Sequence, residues 1–100
     1  MNRFRTHELA VEFYRRASVV KVPSHLKGQL MRAASSVALN LSEGSAKPSP
    51  KERAKFYRIS LGSFRECETI FQLLNVYNQE LTELMDKLAC HLYKLCKALE

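Results

Sequence analysis

Six cations gather in the middle of the chain: Lys47, Lys51, Arg53, Lys55, Arg58 and Arg65. At this density they offer contacts to phosphate, and Lys51, Arg58 and Arg65 recur every seven residues, which keeps them on one side of a helix. Phe56 and Tyr57 interleave with them, although Phe56 falls on an apolar stripe and reads as core rather than as a platform for base stacking. The same cations read equally well as a solvated face that confers solubility. A polar pair, Asn40 and Glu43, lies just before the cluster. Asn40 sits between Val37 and Leu41 on an apolar face, where an unsatisfied amide would cost about 1–3 kcal/mol. It therefore needs a partner inside the fold or a ligand at the end of the helix.

Enzyme chemistry finds little to work with, and no catalytic residue, cofactor or metal is expected. A di-iron site in a helical bundle requires Glu-x-x-His pairs, and no glutamate here has histidine three residues on. His7, His25 and His91 are widely separated, and Cys90 and His91 are adjacent, so on a helix they point about 100° apart and do not share a metal. Glu66 and Glu68 fall on different sides of a helix and cannot act as a facing carboxylate pair. No phosphate loop, dinucleotide fingerprint or nucleophile elbow occurs. Cys67, Cys90 and Cys96 form no CxxC pair; Cys67 reads as packing, Cys96 as the edge of an apolar stripe and Cys90 as an exposed thiol.

These residues must be positioned by helices. Leu9, Phe13, Ala17 and Val20 predict a first helix over about 5–20, and Val22-Pro23-Ser24 breaks it with Ser24 as the next N-cap. A second helix is expected over 25–43, with Leu26, Leu30, Ala33, Val37 and Leu41 on one face and Gly44 as a left-handed C-cap. Ser49, Pro50 and Glu52 then open a third helix as a capping box. It is expected over 50–77, with a main stripe of Phe56, Ile59, Ser63, Cys67, Ile70 and Leu74. Asn78 caps a fourth helix over 79–99, where Leu81, Leu84, Leu88, Leu92, Leu95 and Leu99 follow helical spacing. Short joints make this an all-α, antiparallel up-down-up-down four-helix bundle in a single domain of 100 residues.

Tyr57, Leu61, Phe64 and Phe71 widen the third helix's stripe beyond the ~100° arc of a single buried face. A lone chain would leave Tyr57, Leu61 and Leu39 facing water, so a second subunit is the expected cover, and Met31 points the same way. With the hairpin centred near Lys47, Asn40 is expected beside Lys55 and Ile59, and Arg32 beside Ser63 and Glu66 as an ion pair. Gly62-Ser63 would let the two helices close, making Gly62→Leu strongly destabilising.

The net charge of +6 hides an asymmetry: residues 1–65 carry thirteen Lys/Arg against four acids, residues 66–100 three lysines against six acids. Such a balance suits a polyanion or a bundle that pairs its own opposite ends. No apolar run approaches the roughly 18 residues of a membrane span, and Met1–Thr6 is polar and basic, so no membrane partner and a cytoplasmic setting are expected.

Arg32, Asn40, Glu43-Gly44, Gly62-Ser63, Glu66 and Glu68 belong to a longer pattern, RAAxSVxxNxxEG, a basic loop and FYRISxGSxxExET. It resembles the family of four-helix-bundle proteins named for intervening sequences of 23S ribosomal RNA genes, over nearly the whole chain. The resemblance implies a cytoplasmic bacterial protein that assembles as a homopentameric ring. Distantly similar bundles serve retroelements as basic accessory proteins that bind reverse transcriptase and RNA. The leading expectation is a non-enzymatic oligomeric interaction or scaffold protein whose partners are itself and a nucleic acid or a nucleic-acid-binding protein. The alternative is a nucleic-acid-binding accessory factor using the basic surface of the helix 2–3 hairpin.

Overall fold

Four helices account for most of residues 3–99, the residues described by the computed structural model. They are α1 (Arg3–Ser18), α2 (Ser24–Ser45), α3 (Pro50–Leu73) and α4 (Gln79–Ala98). No strand occurs among the described residues.

Each boundary has a local cause. In α1, Leu9, Ala10, Phe13 and Ala17 are buried on one face, and the helix stops where two valines and then Val22-Pro23 disfavour helical backbone. Lys27 closes that end from outside, its Nζ donating to the carbonyls of Ser18 at 2.8 Å and Val20 at 3.4 Å. Ser24 is not the cap expected of it: α2 begins at Ser24, and the capping position is Pro23, whose carbonyl accepts from Leu26 and Lys27. Ser49 does cap α3, its Oγ accepting from the Glu52 N–H at 3.2 Å, with Pro50 at the first helical position. Asn78 likewise caps α4, accepting from the Leu81 N–H at 3.0 Å.

Two helix ends differ from expectation. α2 runs through Gly44 to Ser45, and no glycine among the described residues has a positive φ, so Gly44 is not a left-handed cap. α3 ends four residues short of the expected 77. Asn75 takes the left-handed conformation at φ 53°, while its N–H bonds the Gln72 carbonyl and that of Val76 bonds the Phe71 carbonyl. This paired closure is a Schellman motif, and asparagine is the residue after glycine that best tolerates its left-handed position.

α2 packs along α3, α1 against α2 and α4, and α4 against α3. Side chains from all four fill the centre: Phe13 and Phe64 meet edge-on with ring centroids 5.5 Å apart, in the same buried core as Leu30, Val37, Leu88 and Leu92. The inward face of α3 is Ala54, Tyr57, Ser60, Phe64, Cys67, Ile70 and Phe71; Cys67 and Ile70 lie where the expected stripe puts them, whereas Ile59 points outward and is 42% exposed. Ser60 can be buried because its hydroxyl donates to the Val37 carbonyl at 2.8 Å.

Burial also pushes the Cys67 thiol up to about 12, with Glu66 and Glu68 adding to the shift. Cys96 is buried as well, while Cys90 is exposed. A thiol-reactive dye at pH 8 is therefore expected to label Cys90 rapidly and Cys67 only once the chain unfolds. Peptide mapping of briefly labelled protein checks this; early label on Cys67 would mean the core is open.

Candidate interaction surface

The polar residues of the 32–68 pattern lie on the outer side of the α2–α3 pair, beside the core rather than within it. On α2, Gln29, Arg32, Ser36, Asn40 and Glu43 recur at three- and four-residue steps and are exposed or half-buried. On α3, Ile59, Gly62, Ser63 and Glu66 do the same.

Between the helices a short chain of hydrogen bonds satisfies this face. Asn40 Nδ2 donates to the Ser36 carbonyl and to Ser36 Oγ, both at 2.9 Å, and Ser36 Oγ shares a 2.8 Å bond with Ser63 Oγ. The expected neighbours of Asn40, Lys55 and Ile59, are not its partners. Arg32 does not reach Glu66 either: Gln29 Nε2 takes that carboxylate at 3.2 Å, and Arg32 stays exposed without an ion pair among the described residues. The contacts step back along α2 as they step forward along α3, from Ser45–Tyr57 to Ser36–Ser63 to Gln29–Glu66. A pivot at Lys47 gives the Gln29–Glu66 contact, but toward the loop the partners lie further along α3, by about one turn at Ser36–Ser63 and about two at Ser45–Tyr57. The hydrogen-bonding roles of Ser36 and Gln29 were not anticipated, although a serine four residues before a half-buried asparagine is a spacing at which two side chains meet.

The two motif glycines exchange roles. A Cβ on Gly44 would stand 2.8 Å from Tyr57 Cε1 and 3.0 Å from Phe56 Cβ, so at Gly44 α2 and α3 approach too closely for a side chain to fit without a shift. A Cβ on Gly62 would meet nothing within 4 Å, and the residue is exposed. Gly62 thus does not close the helix pair, and Gly62→Leu has room within a single copy instead of collapsing the fold as expected. The apolar excess is also smaller than expected: Tyr57 is 1% exposed and Leu61 half-buried, leaving Leu39 at 66% together with Ile59 on the outer surface.

The basic set divides. Arg53 Nη1 donates to the Lys47 carbonyl at 3.1 Å, and Lys47 pairs with Glu43 at 3.2 Å, so these two half-buried cations brace the loop. Lys47 and Lys55 place their ammonium groups 5.2 and 5.9 Å from the centre of the half-buried Phe56 ring. Lys51 and Arg58 are exposed, and Arg65 pairs with Glu68 at 3.2 Å. Elsewhere, Thr6 Oγ1 lies 3.1 Å from His91 Nδ1, joining the start of α1 to α4. Burial, then Arg5 and Lys94, hold the His91 imidazole below its ordinary value. Among the described residues no group of His, Cys, Asp or Glu is arranged to hold a metal ion, and no helix is long and apolar enough to cross a membrane.

A family model described as the 23S rRNA-intervening sequence protein matches residues 4–100. The chain belongs to this family. No curated protein and no solved structure matches the chain. For a 23S rRNA-intervening sequence protein with this pattern, Gly44 serves the helix pair internally, whereas Arg32, Leu39, Gly62 and Glu66 are presented outward.

Proposed function

We propose that this protein is a non-enzymatic, self-assembling interaction module of the cytoplasm. Each copy is an antiparallel up-down-up-down bundle, and identical copies cover one another's α2–α3 face in a homopentameric ring, as its family resemblance suggests. The observation that carries this reading is Gly62. A glycine inside an exposed helix costs roughly 1 kcal/mol relative to alanine, and within a single copy that cost returns nothing, because the space around it is open. A neighbouring helix that comes close would use it. Leu39 and Ile59 supply apolar surface on the same side, and the Asn40–Ser36–Ser63 bonds leave that side few unsatisfied groups to desolvate.

Native mass spectrometry counts the copies. The expected spectrum is dominated by five chains, whereas a series ending at one or two would remove the ring. A second reading, nucleic-acid binding, is favoured by the exposed Lys51, Lys55, Arg58 and Arg65.

A further inference from the structure

The helix ends bring together cations that are far apart in the chain. The start of α1 lies against the end of α2, where Arg3, Phe4 and His7 line an open hollow of about 300 Å³ with Ser42 and Ser45. The Thr6–His91 contact sets the same start of α1 beside the last two turns of α4. The end of α2 in turn meets the beginning of α3 through Ser45 and Tyr57. One end of the molecule therefore gathers Arg3 and Arg5 from α1, Lys47 from the loop, Lys51 from α3, and Lys94 and Lys97 from α4. Among the described residues the carboxylates toward this end, Glu8, Glu43 and Glu52, are fewer, and Glu43 is engaged by Lys47. Arg58 and Arg65 of the basic hairpin set, by contrast, sit further along α3, away from this end.

Two aromatic rings stand at the same end without joining the core: Phe4 is 82% exposed and Tyr93 54%, with Lys97 Nζ 5.9 Å from the Tyr93 ring centre. Exposed rings among cations are what an unpaired strand uses, since its bases can stack while its phosphates meet the charges. A duplex hides its bases and would leave both rings idle. The face is bounded by the shorter dimensions of the molecule, 24 and 19 Å.

We propose that this end, built from all four helices, is a binding site for single-stranded nucleic acid, with Lys51, Lys94 and Lys97 on phosphates and Phe4 and Tyr93 against bases. The proposal rests on the nucleic-acid reading but moves its site from the α2–α3 hairpin to the helix ends.

The test is fluorescence anisotropy of a labelled single-stranded RNA of about twelve nucleotides, with the full chain, at salt concentrations from about 50 to 200 mM. Circular dichroism confirms that each variant remains helical. Replacing Lys51, Lys94 and Lys97 together by glutamine is expected to weaken binding at least tenfold and to flatten the salt slope by about 2, at roughly 0.7 per lost single-strand contact. The control Arg15→Gln/Lys21→Gln/Lys87→Gln removes the same charge from exposed positions away from this end and is expected to cost less than twofold. Phe4→Ala and Tyr93→Ala should each weaken binding about fivefold or more. If the control weakens binding as much as the end variant, the end assignment falls while nucleic-acid binding stands. No binding at the lowest salt removes both. Binding of polyglutamate or duplex RNA as tight as that of the single strand would also overturn the proposal.

Discussion

Gly44→Val is expected to lower the melting temperature by roughly 12–24 °C, the shift that about 3 kcal/mol produces in a domain of this size. The first atom of any side chain at this position would fall 2.8 Å from Tyr57 Cε1 and 3.0 Å from Tyr57 Cδ1, with Phe56 Cβ also at 3.0 Å. The ring has little freedom to yield. Tyr57 is 1% exposed, and its hydroxyl shares a 3.1 Å hydrogen bond with Ser45 Oγ at the end of α2. Relief therefore requires α2 and α3 to separate near their loop, opening the contact on which the Lys47 and Arg53 bracing depends. Gly44→Ala should show the same sign with a smaller effect, because alanine's better helix propensity offsets part of the overlap. Gly62→Ala should show the opposite sign or none in a single copy, since its Cβ meets open space. Thermal melts of the three variants at one protein concentration check this; a Gly44→Val melt within a few degrees of the parent would mean that the close approach is not real.

The second large effect concerns assembly. Leu39→Glu/Ile59→Glu places two charges on the α2–α3 outer surface, where the parent side chains are 66% and 42% exposed. In a single copy these sites are wet, and the substitutions should change stability by less than about 0.5 kcal/mol each. In an assembly that buries them, two uncompensated charges per interface would be desolvated at several kcal/mol, enough to disperse the copies. The expected outcome is a helical circular-dichroism spectrum like the parent's with a hydrodynamic mass that drops to one chain. Loss of helicity together with loss of mass would instead mean that the face supports the bundle itself.

Much of this architecture was legible in the residues. Ser49 and Asn78 announce α3 and α4 because a side-chain oxygen before a helical run has one productive use, and both oxygens accept the expected backbone N–H. The leucines of α4 repeat cleanly, and Leu81, Leu84, Leu88, Leu92 and Leu95 are buried. The inward face of α3 was less readable. Hydropathy ranks Ile59 above Ser60, yet Ser60 goes inside because the Val37 carbonyl lies within reach, a partner that no local pattern reveals. Asn75 hid the end of α3 because Leu74 and Val76 continue an apolar run, and both pack against the core from beyond the helix.

The two glycines show the same limit at the site. Near a helix end glycine serves either a left-handed cap or a close approach, and only the position of Tyr57 decides which holds for Gly44. In mid-helix it suggests contact with a neighbour, and α2 is the neighbour at hand; the open space at Gly62 moves that role to another molecule. Arg32 and Glu66 failed to pair although the register at this end of the hairpin is the expected one: Gln29, one turn before Arg32, stands directly opposite Glu66 and takes its carboxylate. The end face escaped a linear reading entirely, since Arg5 and Lys94 become neighbours only when α1 and α4 pack.

Light scattering of the unmodified chain at micromolar concentration bears most directly on whether copies gather on the α2–α3 face. The expected mass is a multiple of the 11.5 kDa chain, with five copies in the ring proposed here. A single species at 11.5 kDa, folded and with Leu39, Ile59 and Gly62 in water, would contradict it.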